Sequence, residues 1–501
     1  MTPLLLASLL VVQAAEDPWA DAASRDLHGY VRAVSLDVRG VVPSPDELAA
    51  IEAAGELDDA TLDAWLHSEA FTKVVVAKHQ ERFWNALEIN LMNSRRLSRR
   101  NGIYFVSQRA NTLRGARLLH CGEEEAEVDE DNRPLRWTDN GDGSISEGWV
   151  WVAPYWDLEN PVKVCALDAM SQLVSDGGID CASADAHLDP SCGCGPDLQW
   201  CLTADVERDI ETAFAADINF KVQAMIDIDV EPYTALFTSN FLYLDGASEH
   251  FFRHLAAFQP DDYESPVPIE ALPELDYAVR THVAVELPDH HAGVLTAPGW
   301  LLRHQTNRGR ANRFYGGFLC AEFIPTEGTP EPTEMDALPT PDLQVRSGCI
   351  DCHTRLEPWA AYWGRWSQAG SVHLPPESHP EFDDDCVYCS NDCPAICDDH
   401  YITEASHPDE LDWVGTFRPY AFLIDDDATH PDLGPLAWVE RAQADGSLAR
   451  CAVSSTTDWL LDSTPEAAEL EAWADAFAAD EDYRALVRAV VTSDAYWGGH
   501  R

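Results

Sequence analysis

The run Cys349-Ile350-Asp351-Cys352-His353 is the sharpest chemical signal in the chain. C-x-x-C-H sets two thiols one helical turn apart with an imidazole beside them, which is the attachment pattern of c-type haem. The thiols add across the porphyrin vinyl groups, and the imidazole becomes the proximal iron ligand. The competing readings are a disulfide pair with an incidental histidine, and a thioredoxin-like redox pair, for which the surrounding βαβ pattern is missing. No methionine follows His353. The sixth iron position therefore falls to Met335 just upstream, to His304, His373, His379 or His400, or to no residue at all. Trp359, Tyr362, Trp363 and Trp366 follow the motif and are expected to pack either the porphyrin or a protein core. Arg303, Arg308, Arg310 and Arg313 form the one basic cluster, suited equally to haem propionates and to salt bridges with an acidic surface.

Other candidate sites are weaker. Within Asp139 to Glu147, Asn140 and Asp142 stand where a calcium loop turning at Gly143 would have ligands. Its first position is then Thr138 and its twelfth Trp149, so two carboxylates are missing and a solvated acidic turn is the better reading. His290-His291 has no third ligand near it in the sequence and reads as an ordinary pair. No P-loop, dinucleotide fingerprint or G-x-S-x-G occurs, which argues against the common nucleotide and hydrolase classes.

The chain has 501 residues, with 87 Asp and Glu against 33 Lys and Arg, a formal net charge of -54. Such a surface repels phosphate, so nucleic acid and anionic lipid are set aside as partners. Residues 1–15 carry an apolar run followed by small residues and read as an export signal. No later stretch is apolar enough to span a bilayer, so a periplasmic or extracellular protein is expected. Fourteen cysteines agree with an oxidising compartment, where disulfides in loops are the expected use. The cluster Cys386, Cys389, Cys393 and Cys397 is alternatively a zinc or iron–sulfur site.

The elements that must position these groups are mainly helical. Ser44-Pro45-Asp46-Glu47 is an N-cap, a proline at the first helical position and a capping-box glutamate. Apolar residues then recur at three and four spacing through Leu87. The expected organisation is an N-terminal helical module over 16–120, a Cys-rich acidic insertion over 121–203, and a middle helical module over 204–285. A cytochrome c-like haem segment with its own Cys-rich insertion follows over 286–430, then a C-terminal helical module over 431–501, with a helix start signal at Ser463-Thr464-Pro465-Glu466. The fold class is mainly α: helical bundles in several modules, tied by long disulfide-rich loops.

The order of segments resembles the secreted cytochrome-domain proteins of planctomycetes and myxobacteria, which are built of consecutive domains of unknown function. Leu36 to Gly40 with Pro43 to Leu48 is similar to their N-terminal entry, and Arg82-Phe83-Trp84 to a helical signature. Gly293 to Thr296 with Thr306-Asn307-Arg308 and Arg313 resembles the stretch before the haem motif. Cys349 to His353 with Leu356-Glu357-Pro358 is similar to the haem block, and Cys451 with Leu486 to Tyr496 to the terminal module. The resemblance implies one covalent haem c in an exported helical protein and leaves the redox partner and substrate open. Three functions follow as expectations: a c-type haem protein in electron transfer or redox chemistry, a haem-free disulfide-stabilised binding or scaffold protein, and a haem-dependent oxidoreductase.

Overall fold

The computed structural model describes residues 26–83, 95–106, 120–135, 138–139, 145–189, 191–227, 231–259, 263–321, 339–389, 393–423, 431–461 and 464–498. The export signal, Asn140, Asp142 and Met335 lie outside the described residues. About 51% of the described residues are helical and 9% lie in strands.

Four helices open the chain: α1 (Leu27–Arg39), α2 (Pro45–Ala54), α3 (Asp59–Leu66) and α4 (Glu69–Phe83). The Asp26 carboxylate caps α1 by accepting from the Gly29 amide, and Gly40 ends it in the left-handed region at φ +69°. The capping box at Ser44 and Glu47 forms as the sequence predicts, with Pro45 in the first helical position. Val31, Val34, Val38, Leu62, Leu66, Phe71 and Val75 turn inward as one apolar face.

The chain then departs from the helical expectation. β1 (Leu97–Arg100) and β2 (Ile103–Val106) form a hairpin, β3 (Thr138–Asp139) and β4 (Ile145–Ser146) a small ribbon, and β5 (Trp149–Val152) and β6 (Val162–Cys165) a second hairpin. β2 pairs in parallel with β6, so one four-stranded sheet in the order β1-β2-β6-β5 joins residues on both sides of position 120. Strands of four residues carry too little alternation to be read from periodicity alone.

α5 (Ala204–Asp227) is the long strut of the molecule. Its first half contributes Val206, Ile210 and Phe214 to one apolar cluster, and its second half Ile218, Val222 and Met225 to the main core. Next come α6 (Ala235–Thr238), β7 (Phe241–Leu244), α7 (Gly246–His250) and β8 (Val283–Glu286), with β7 and β8 antiparallel. α8 (Pro298–Arg303), α9 (Asn307–Phe318) and α10 (Ile350–Ala360) lead to the chemical motif, and α11 (Ala395–His400) closes the second Cys-rich loop. α12 (Pro435–Ala444), α13 (Ser447–Leu460), α14 (Ala467–Asp480), α15 (Tyr483–Val491) and α16 (Asp494–Trp497) finish the chain. α14 begins at Ala467, three residues after the start signal at Ser463–Glu466 would place it, and Glu466 makes no side-chain cap. Phe71, Ile218, Trp300, Phe314, Trp363, Trp438 and Val487 share one core, so residues of the three expected helical modules and of the expected haem segment pack together around it.

Six disulfides join Cys121 to Cys165, Cys181 to Cys192, Cys194 to Cys201, Cys320 to Cys451, Cys386 to Cys397 and Cys389 to Cys393. The last two pairs overturn the reading of that cluster as a zinc or iron–sulfur centre, because a sulfur held in a disulfide offers no thiolate to a metal.

Candidate functional site

With twelve cysteines in those six bridges, Cys349 and Cys352 are thiols, both half-buried. Gly348 at φ +79° turns the chain into the motif, and Cys349 stands as the N-cap of α10. The Cys352 amide donates to the Cys349 carbonyl at 3.2 Å and the His353 amide to the same oxygen at 3.0 Å. That turn sets both sulfurs on a single stretch of helix. Asp351 in the first turn complements the positive end of the helix dipole.

His353 is oriented from within the same helix. Its Nδ1 meets Glu357 Oε1 one turn on. The same carboxylate oxygen accepts from Arg308 Nε of α9 at 2.7 Å, so the glutamate is pinned from two sides. A carboxylate on Nδ1 fixes the tautomer that carries its proton there and leaves the Nε2 lone pair for a metal. Two thiols and an imidazole so oriented fit the anchoring of haem c. A cleft of about 280 Å³ opens beside this helix, lined by Arg308, Gln344, Glu357, Arg418 and Phe422.

The aromatic residues after the motif pack among protein side chains. Tyr362, Trp363 and Trp366 are buried in the protein core, and Trp363 Nε1 donates to the Leu295 carbonyl at 2.9 Å. Trp359 stacks on Trp438 with centroids 4.4 Å apart and planes at 13°, and the Arg441 guanidinium lies 5.0 Å from the Trp359 ring centroid. Trp359 and Trp438 hold α10 against α12, and the packing of these rings on protein side chains is the core arrangement offered as one of the two readings.

The arginine cluster divides in the same way. Arg310 is fully buried, and its guanidinium donates to the carbonyls of His304 at 2.8 Å and Ser367 at 2.8 Å and to Asn307 Oδ1 at 3.1 Å. Burial lowers its pKa to about 9, still leaving it charged at neutral pH. It clamps α8, α9 and the chain after Trp366. Arg313 donates to the Glu81 carbonyl at 2.9 Å. Arg308, at the cleft and paired with Glu357, is the arginine beside the motif.

The proposed sixth ligands are dispersed. His304, nearly buried, sits edge-on to Trp300 at 4.5 Å, and burial draws its pKa to about 4. His373 stacks on His290 with centroids 3.7 Å apart. His379 and His400 meet edge-on at 5.0 Å. Each has neighbours other than His353.

Sequence reading passed over one grouping. His290, His291 and His373 gather around Trp366, although His373 lies far from the pair along the chain. Only folding brings the third ring in, and the adjacent pair was the one local signal. Cys121, Glu147 and Cys165 also lie close together, but their two sulfurs bond each other. Compared with protein-family models, curated proteins and solved structures, the chain gives no match.

Proposed function

We propose that this chain is an exported c-type haem protein acting in electron transfer or redox chemistry. The observation that carries the reading is the partition of the cysteines: twelve are bridged, and the two in C-x-x-C-H are thiols on the helix that also bears an oriented imidazole. Bound haem would supply one-electron chemistry. Cys349 and Cys352 would hold it through thioether bonds, and His353 would offer Nε2 to the iron. Glu357 keeps the His353 ring in place through Nδ1, and Arg308 steadies Glu357. The six disulfides support placement outside a reducing cytosol, and no helix among the described residues is long and apolar enough to cross a membrane.

The test is full-length protein produced with export and a c-type maturation system, read by intact mass and a reduced-pyridine spectrum. The expected result is a mass increase of one haem and a porphyrin spectrum with both vinyl groups saturated. Cys352→Ala should leave one vinyl group unsaturated and shift that spectrum. Matured wild-type protein without a Soret band would remove this reading in favour of a disulfide-stabilised scaffold.

A further inference from the structure

We propose that the disulfide between Cys320 and Cys451 is a thiol-exchange site, opened by a dithiol oxidoreductase of the thioredoxin class through attack at the Cys320 sulfur. The inference rests on side chains of α4, α9 and α13 and stands whether or not haem is attached at the C-x-x-C-H helix.

Exposure singles this bridge out. Cys320 is the one exposed cysteine of the fourteen, while its partner Cys451 is 1% exposed. The bridges Cys121–Cys165, Cys181–Cys192, Cys194–Cys201 and Cys386–Cys397 are buried at both ends, and Cys389–Cys393 is half-buried. Exchange depends on access to one sulfur and on the ease with which the other departs. A bridge with one open and one buried end is therefore attacked at the open end and sheds the buried sulfur.

The backbone at the open end is held outside the usual range of a cysteine. Cys320 follows α9 at φ +49°, the left-handed region in which glycine or asparagine commonly ends a helix, and no other cysteine has a positive φ. The Leu319 and Ala321 amides donate to the Tyr315 carbonyl at 3.2 and 3.3 Å and fix that turn on either side of Cys320. A side chain kept in this region costs free energy that the surrounding structure must hold, and such positions gather at functional sites.

The buried end is prepared for negative charge. Arg82 of α4 donates through Nη2 to Cys451 Sγ at 3.6 Å. The same guanidinium is anchored by Nε to the Gly317 carbonyl at 2.9 Å and by Nη1 to the Tyr233 hydroxyl at 3.3 Å. No carboxylate among the described residues pairs with Arg82, so its charge is left to the sulfur. A thiolate departing beside a guanidinium is stabilised, and a lower thiol pKa makes it the better leaving group.

The exchange balances. The partner's thiolate bonds to Cys320 Sγ as the S–S bond breaks, and the electron pair passes to Cys451 Sγ, which takes a proton from water. The partner's second thiol then attacks the mixed disulfide and releases the Cys320 thiol. Two electrons and two protons have moved to this chain, and the partner's dithiol has become a disulfide. α9 and α13 lose their covalent tie.

The experiment mixes the full, bridged chain with a reduced thioredoxin-class protein under native conditions, quenches with N-ethylmaleimide at intervals and maps the label by peptide mass. Cys320 and Cys451 should be labelled at least about tenfold faster than any other bridged pair. A partner lacking its second thiol should be trapped on Cys320. Arg82→Gln should slow opening at least about fivefold and Arg82→Lys restore most of the rate, with circular dichroism as the folding control, whereas mere loosening of the contact would speed it. Another bridge opening first, an adduct on Cys451, no bridge opening short of unfolding, or folded Arg82→Gln opening as fast as wild type overturns the proposal. If Arg82→Gln does not fold, the order of opening and the adduct position in wild type decide alone.

Discussion

Lys221 and Asp217 form an ion pair one turn apart on α5, each side chain only 2% exposed. The Tyr243 amide donates to the same Asp217 oxygen at 2.8 Å, which ties the helix to β7. Burial lowers the Lys221 pKa, and Asp217 works against that shift. Removing one member of such a pair leaves the other charged and dry, so Lys221→Met should cost about 3–5 kcal/mol in chemical denaturation. Lys221→Met/Asp217→Leu should recover part of that loss, and a single variant as stable as wild type would show that the pair is well hydrated. Neither residue stands out in the sequence beyond its i,i+4 spacing, because burial is decided by β7 and the chain after it. The motif at Cys349 to His353 is the opposite case. Its whole geometry lies within five residues, so type and spacing alone were enough to locate it, whereas the support from Arg308 depended on α9 packing beside α10.

Among the elements, the capping box on α2 and the helical tail were legible because caps and the 3.6-residue period are local properties. The sheet was not, since each strand has four residues and its stability comes from partners up to 60 residues away. The bridge from Cys320 to Cys451 was equally hidden: it spans 131 residues and joins the end of α9 to α13, while the other five bridges span 44 residues or fewer. Closing so long a loop restricts the unfolded chain most, although measured gains vary. Cys320→Ser/Cys451→Ser is therefore expected to lose about 2–5 kcal/mol, read as a lower denaturant midpoint with helical content unchanged. A midpoint equal to wild type would mean that packing of α9 on α13 alone sets this contact.

For the molecule as a whole, pH should act first through histidines. Burial is the leading cause in lowering His79 to about 3, His291 to about 3, and His254, His304 and His373 to about 4. Unfolded, these imidazoles titrate near 6.5, so between that value and their folded ones the unfolded chain binds more protons. Stability is then complete above about pH 6.5 and drains away as the pH falls toward 4. A thermal midpoint that declines from pH 7 to pH 5, with a shallower slope in His79→Gln, is the expected outcome, and a flat profile over that window would contradict it. Carboxylates enter only lower, where neutralising part of the -54 charge eases self-repulsion. The covalent link between positions 320 and 451 has one more effect. It ties everything from residue 321 to 450, the C-x-x-C-H helix included, into a ring, so a single protease nick anywhere inside that ring opens it without releasing a fragment, and only a reductant would let the two pieces drift apart.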